Sequence, residues 1–371
     1  MTLTERRQAI KSGRGAPKEI PAPLGFRRPA EWEPHEATWI GWPHNRTDWP
    51  GKMGPIPWVY GEIVKKLAEG EIVRILVESE AHGAAARRVL NQIGVGSSKI
   101  QFFRLPTNRG WTRDFGPIFI RRDEPRVEVA IARFRFNAWA KYKDWKLDDA
   151  VPVKLARRLG LRLFNPGACG RDVVLEGGSI DVNGRGTLLT TEECLLDQDT
   201  QTRNPGLERN EVESVMRDYL GTANVLWLGK GIAGDDTHGH VDDICRFTGP
   251  GTVVLCREQN PGDENYKPLE ENRERLEGMR LEDGSKLEVV PIPMPSPLQH
   301  QGRRLPASYA NFYVSNSAVL VPTFNDPNDR IALGILAALI TDRPVIGIHA
   351  VDLVWGLGTL HCLTQEQPTA D

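Results

Sequence analysis

Very little in this chain is extreme. Cysteine is scarce, with five in 371 residues. They are Cys169, Cys194, Cys245, Cys256 and Cys362, an odd number widely spread, which argues against a disulfide framework and for a reducing compartment. A surplus of one charge is also lacking. Lys and Arg total 47 against 49 Asp and Glu, a formal net charge of −2, so no basic footprint for nucleic acid exists. No apolar run approaches the roughly 18 residues that a membrane span requires. The opening stretch MTLTERRQAIKSGRGAPKEI is polar and basic, without the apolar segment of a secretory signal. These absences predict a cytoplasmic protein with neither nucleic-acid nor membrane partners. They also predict a disordered arm over 1–20, followed by one domain over 21–371. A homo-oligomer stays open.

What is present is an ordinary globular balance, 40% hydrophobic and 26% charged. From Pro57 on, helical and strand patterns alternate. Trp58, Val59, Ile63 and Leu67 recur at helical spacing, a buried strand follows over 72–79, and a helix over 81–93 leads into the strand KIQFFRL. Further helices are predicted over 210–220, 268–280 and 330–341. They alternate with strands at 225–228, KLEVVPIP and PVIGIH. The Pro-rich stretch 291–298 reads as a surface loop. The class is therefore α/β. Asp114, Glu176, His240, Asn311 and Cys362 each fall at a strand end or turn, roughly 50–70 residues apart, a spacing that suggests repeated units around an axis. A doubly wound sheet with coincidental spacing is the alternative.

The chemistry concentrates in four motifs. GLGTLHCLTQEQP places Cys362 after His361, with Gly356 and Gly358 expected to permit a tight turn. GDDTHGHVDD enters from apolar Ile232 and leaves into Val241, Ile244 and Phe247, so it reads as more than a solvated loop. As a strand it would put His238, His240 and Asp242 on one face. WTRDFGP supplies Trp111 and Asp114, an indole and a carboxylate suited to the face and edge of a planar cation. LEGGS sets Glu176 at the end of the apolar run DVVLEGG, where an unpaired carboxylate would be costly. A thiol, a histidine and several carboxylates suit a guanidinium. Carboxylates bind its edges, the thiolate attacks its carbon, and the histidine protonates the departing ammonia and then activates water. No cofactor and no metal are required.

These motifs resemble the agmatine deiminases and their bacterial peptidylarginine-deiminase relatives, within the guanidine-modifying (pentein) superfamily. The resemblance is carried by PAEWEPHEATWIGWPHN, WTRDFGPIFI, FRFNAWAKY, LEGGSIDVNGRGTLLTTEECLL, GDDTHGHVDD, ASYANFYVSNSAVLVPTFNDPND and LHCLTQEQP, in order. It implies a five-bladed, pseudo-fivefold α/β propeller. It also implies Cys362 as nucleophile, His240 as acid and base, Glu176 as its partner, and Asp114 and Asp242 as guanidinium ligands. The substrate would be a small guanidino compound. Agmatine, giving N-carbamoylputrescine and ammonia in putrescine biosynthesis, is the first expectation.

Departures from the family pattern bear on the substrate. Arg109 and His238 stand where the agmatine enzymes carry acidic residues, and Leu357 and Thr359 interrupt a glycine-rich turn. Arg133 and Arg135 in RFRFN would share a strand face and could hold a carboxylate, or could simply be salt-bridged. The candidate substrate-binding set is thus Trp111, Arg109, Arg133, Arg135, His238 and Asn311, and a carboxylate-bearing guanidine is the alternative substrate. Two other classes compete. His-x-His-x-Asp begins like a binuclear metallohydrolase, although no second histidine cluster follows. A non-catalytic guanidinium-binding protein is the other. The order of residues argues against a papain-like protease.

Overall fold

The structure is a computed structural model and describes residues 19–370; residues 1–18 of the expected N-terminal arm lie outside it. The chain opens with β1 (His35–Gly41), α1 (Ile56–Gly70), β2 (Ile72–Val77), α2 (Glu80–Gln92) and β3 (Ile100–Arg104). The short helix α3 (Thr112–Phe115) precedes β4 (Ile118–Arg122), β5 (Glu128–Ala132), α4 (Val151–Leu159) and β6 (Arg162–Phe164). The same order returns in β7 (Asp181–Val182), β8 (Thr187–Thr191), α5 (Arg209–Leu220) and β9 (Asn224–Leu228). It returns again in β10 (Cys245–Gly249), β11 (Thr252–Arg257), α6 (Tyr266–Glu277) and β12 (Glu288–Pro293). A further round is β13 (Tyr313–Val314), β14 (Val319–Thr323), α7 (Pro327–Leu339) and β15 (Val345–His349). The chain closes with α8 (Leu360–Leu363) and β16 (Thr364–Pro368).

Five sheets share one pairing pattern. In four of them an antiparallel hairpin is followed by a helix and a parallel third strand: β4-β5-β6, β7-β8-β9, β10-β11-β12 and β13-β14-β15. In the fifth, β16 supplies the antiparallel partner of β1, with Trp39 opposite Gln365, and β2 and β3 continue in parallel. The last strand of the chain thus completes the sheet begun by the first. Central strands such as VVLC of β11 and VLV of β14 are buried throughout, as expected for strands covered on both faces. Local signals fix the helix ends. Asp326 caps α7 with Pro327 in its first turn, Glu208 and Glu211 form a reciprocal cap on α5, and Gly160 and Gly221 end α4 and α5 in the left-handed conformation.

The helices and strands read from periodicity form, with ends shifted by a few residues, but those expected at RFRFN and DVVLEGG do not. Three local expectations fail. Trp58 is 47% exposed, because α1 buries Ile56, Tyr60, Ile63, Val64 and Leu67 instead. Pro291 and Pro293 belong to β12, an edge strand, where a missing N–H leaves no gap in the ladder. The run leading to Glu176 is extended but pairs only through a bridge from Val174 to Arg135, and a helical turn at Gly177–Ser179 follows it.

Candidate active site

Each sheet is preceded by a turn that carries chemistry. Asp114 sits in α3 before β4, Glu176 before β7, His240 and Asp242 before β10, Asn311 before β13, and Cys362 in α8 before β16. The structure brings these residues together. Asn311 Nδ2 donates to Cys362 Sγ at 3.1 Å, and Asp242 Oδ2 lies 3.7 Å from the same sulfur. His240 Nδ1 is 3.8 Å from Asp114 Oδ1, and Nε2 is 3.6 Å from Glu176 Oε2. His240, Asp242, Glu176 and Asn311 have no exposed surface.

Glycines make this crowding possible through what they lack. A Cβ on Gly178 would lie 2.6 Å from His240 Nδ1 and 2.9 Å from both Asp114 Oδ1 and Asp242 Oδ2. On Gly358 it would lie 2.9 Å from the Trp111 ring and 3.2 Å from Cys362 Sγ. Gly356 and Gly358 are therefore needed for close approach rather than for a left-handed backbone. The left-handed residue of that turn is Leu357, with φ of 70°.

Each polar group is held from behind. Trp139 Nε1 donates to Asp114 Oδ2 at 2.8 Å, and the Gly178 N–H donates to Oδ1 at 3.1 Å. Arg203 Nε donates to Glu176 Oε1 at 3.1 Å. His361 Nδ1 meets Asp242 Oδ2 at 2.7 Å, and its Nε2 meets Glu31 Oε2 at 2.9 Å. Asn311 also donates to Asp243, and its own Oδ1 accepts from Thr359 and from the His361 N–H. Three of these side chains still carry four buried atoms that lack a hydrogen-bond partner: Glu176 Oε2, Asp242 Oδ1 and both ring nitrogens of His240. Buried polar atoms are rarely left so, and this cluster beside Cys362 is a candidate ligand site.

The electrostatics follow from burial and crowding. Burial, with Asp242 and Glu176 nearby, raises Asp114 to about 6 against the opposing pull of His240. Burial would also raise Glu176, but Arg203 and His240 outweigh it and hold it near 2. Burial disfavours the His240 imidazolium, yet Asp114, Cys194 and Glu176 together raise it well above its ordinary value. The Cys362 thiol is pushed far up, first by burial and then by Asp242, Asp243 and Asp114. A cation seated among these carboxylates would relieve that last repulsion and favour the thiolate.

The site opens into a cavity of about 60 Å³ lined by Asp48, Arg109, Trp111, Asp114, Trp139, Tyr142, Asp236, Leu357 and Cys362, among others. Trp111 and Arg109 are therefore at the wall. Arg109 is ion-paired with Asp48 and Asp144 and stacks on Tyr142. Asp236 accepts from Lys141, Tyr142 and Arg303. Among the lining residues Arg109 is the one cation, against the carboxylates Asp48, Asp114 and Asp236. Three candidates lie elsewhere. Arg133 and Arg135 both pair with Asp149 and Asp172 and do not line the cavity. Neither is in a strand, since β5 ends at Ala132. His238 does not share a face with His240, because His238 and Gly239 take φ of 64° and 90° and turn the chain. Its ring meets Asp197 at 2.8 Å and Glu193 at 3.9 Å.

That turn also divides the His-x-His-x-Asp run that suggested a metallohydrolase. One possible ligand group among the described residues is Glu176, Cys194 and His240. Glu176 in that trio is already ion-paired with Arg203. Sequence reasoning missed Trp139, Arg203, Glu31, Asp243 and the wall residue Asp48. Trp139 lies in a quoted motif, but what brings it to Asp114 is a run of left-handed residues, Ala138, Trp139 and Ala140, that residue type does not signal.

The sequence model for Porphyromonas-type peptidyl-arginine deiminase matches residues 27–368. Agmatine deiminase of Pseudomonas aeruginosa (strain LESB58) is 34% identical over 378 aligned positions, covering 95% of this chain and 98% of that protein. The solved agmatine deiminase of Enterococcus faecalis superposes with a TM-score of 0.87 at 31% identity, covering 95% and 98% of the two chains. C. jejuni agmatine deiminase with substrate bound superposes with a TM-score of 0.81 at 31% identity, covering 93% and 96%.

Proposed function

Because the chain belongs to the Porphyromonas-type peptidyl-arginine deiminase family, we propose that it hydrolyses agmatine to N-carbamoylputrescine and ammonia through a covalent adduct on Cys362. The observation that carries this is the set of unpartnered buried atoms on Glu176, Asp242 and His240 around the cysteine. A guanidinium is planar, cationic and rich in donors, so it fits the unsatisfied acceptors Glu176 Oε2 and Asp242 Oδ1. The agmatine deiminases at 34% and 31% identity support the choice of substrate. So does the wall, where Arg109 is answered by Asp48 and Asp144 and no surplus of positive charge is left to seat a carboxylate.

In the proposed mechanism Asp114 and Asp242 take the edges of the guanidinium. Seating the cation sends the Cys362 thiol proton to solvent, and the thiolate forms a C–S bond to the central carbon, giving a tetrahedral adduct. The His240 imidazolium gives its proton to one amino group, and the C–N bond breaks to release ammonia and leave a thiouronium. Neutral His240 then takes a proton from water, whose oxygen attacks the same carbon. Collapse breaks the C–S bond, frees the ureido product and returns the thiol. Glu176, held ionised by Arg203, steadies the imidazolium through both half-reactions. The same reading takes residues 21–371 as one catalytic unit acting in the cytoplasm. Its five sheets are the blades of a pseudo-fivefold propeller, supported by the recurrence of one site-bearing turn before each sheet.

The test is ureido-product formation by purified protein from agmatine, arginine, a peptide ending in arginine, and guanidino acids at equal concentration. Agmatine should be turned over with the highest kcat/KM, with no loss on chelation and full loss on thiol alkylation. Preference for a carboxylate-bearing guanidine would overturn the substrate assignment.

The pH profile should report Asp114. Its carboxyl sits at about 6 in the free protein, so below that pH it is protonated and cannot pair the cation. The kcat/KM for agmatine should therefore fall as pH drops through about 6. The acid limb of kcat should lie lower, because the bound guanidinium holds the carboxylate ionised. An acid limb for kcat/KM in the ordinary range near 4 would remove Asp114 from this role.

A further inference from the structure

The cavity wall holds a further carboxylate whose hydrogen bonding is incomplete, apart from those assigned to the guanidinium. Asp48 stands in the turn between β1 and α1 and lines the cavity. Its side chain is only 1% exposed. Its Oδ1 is paired with Arg109 Nη1, and its Oδ2 is buried without a hydrogen-bond partner. Asp236, on the same wall, is in the opposite condition. Its Oδ1 accepts from Lys141 at 2.8 Å and from Arg303 at 2.6 Å, and its Oδ2 accepts from Tyr142 at 2.6 Å. Asp148 Oδ2 is also unpartnered, but Asp148 is not among the lining residues. A buried carboxylate oxygen is rarely left unpaired. Of the two, Asp48 is the one with an acceptor to offer.

The charge around Asp48 is unbalanced in the same sense. The titratable and charged groups that face it are Arg109, His44, Asp144, Asp148 and Tyr60. Burial outweighs the pull of Arg109 and raises the Asp48 carboxyl to about 6. Arg109 divides its charge between Asp48 and Asp144. One shared cation leaves this buried carboxylate under-compensated, and a second cation at Oδ2 would complete it.

We propose, resting on agmatine as the substrate, that Asp48 Oδ2 receives the distal ammonium and is the residue that selects an aminoalkyl guanidine. With the guanidinium at Asp114 and Asp242 beside Cys362, the butyl chain would lie against the rings of Trp111, Trp139 and Tyr142 on the same wall. Arg109 is then a positioning residue, which holds Oδ1 and leaves the second oxygen free. A substrate carboxylate in the ammonium's place would meet Oδ2 as a like charge. Asp48 therefore discriminates by repulsion as well as by attraction.

Steady-state kinetics with agmatine and with n-butylguanidine, which lacks only the amine, test this. The wild type should favour agmatine by roughly 100-fold or more in kcat/KM, because a site built around a donor penalises an analogue without it. Asp48→Asn should lower kcat/KM for agmatine by a similar factor, through KM, and leave n-butylguanidine within a few-fold. Equal loss on both substrates would make Asp48 a structural partner of Arg109 and overturn the assignment. A second readout needs no substitution. Both substrates require Asp114, so the ratio of their kcat/KM values cancels its titration and leaves that of Asp48. The agmatine-to-butylguanidine ratio should fall as pH drops through about 6, where the Asp48 carboxyl gains its proton and loses its charge. A ratio that stays flat across that range would overturn the proposal. A wild type that turns over neither compound, or that prefers arginine, sinks the agmatine reading and this assignment together. Agmatine turnover with an indifferent Asp48→Asn sinks this assignment alone.

Discussion

Alanine at position 362 is expected to leave agmatine binding within a few-fold of wild type while lowering turnover by about 10⁴-fold or more, the scale seen when covalent hydrolases lose their nucleophile. The sulfur forms no ion pair that the fold depends on, and its contacts are the Asn311 amide and Asp242. Removing it also removes a group that burial and three carboxylates keep protonated in the free protein, so the carboxylates proposed to hold the cation stay as they are. Calorimetric titration of Cys362→Ala with agmatine reads binding, and ureido formation reads turnover. Wild-type protein quenched during turnover should carry a substrate-derived mass on the peptide containing Cys362. The second thiol near His240 belongs to Cys194, and Cys194→Ala should still form that adduct. Full turnover by Cys362→Ala would remove the covalent mechanism entirely.

How much of this was legible in the sequence depended on range. Helices and strands were readable because periodicity and caps are local. Asp326 before Pro327, or Gly221 after α5, announce their helix ends by residue type. Asp114, Glu176, His240 and Cys362 were readable as polar residues placed where apolar runs begin or end. What failed was the assumption of regular geometry in irregular segments. His238 was put beside His240 by treating GDDTHGHVDD as a strand, and a left-handed turn at His238–Gly239 sends its ring to Asp197 instead. Arg133 and Arg135 do share a partner, but Asp149 comes from a different segment and no pattern in RFRFN reveals it. Trp139 and Arg203 were invisible for the same reason. Each acts through one contact to a residue remote in sequence, Asp114 and Glu176. Glu31 lies in PAEWEPHE, and no residue-type rule separates it from Glu33 or Glu36 nearby.

Glu31 also supports the second large effect, which falls on stability. Its Oε2 meets Arg113 Nη2 at 2.9 Å and His361 Nε2 at 2.9 Å. Its Oε1 meets Arg246 Nη2 at 3.0 Å and the Val314 N–H at 2.8 Å. The partners come from α3, β10, β13 and α8, so one carboxylate ties the segment before β1 to four other parts of the fold. Arg113, Arg246 and His361 are each about 1% exposed. Removing Glu31 therefore strands buried positive charge, an effect that typically costs about 3–5 kcal/mol. Glu31→Ala should lower the urea midpoint accordingly, and Glu31→Gln, which keeps the shape and some hydrogen bonds, should lower it less. Burial would raise this carboxyl, but Arg246, His361 and Arg113 outweigh it and hold it well below its ordinary value. Its stabilising contribution is thus complete above the unfolded value, about 4.3, and is lost as pH falls below it. Glu31→Ala should accordingly lose less stability than wild type between neutral pH and that acidic range. Activity should fall too, through a raised KM, because His361 bridges Glu31 to Asp242 and so places the carboxylate proposed to hold the guanidinium. A Glu31→Ala protein with the wild-type urea midpoint would mean that these cations are already balanced by Glu366, Asp181 and Asp242, and the central role given to Glu31 would be wrong.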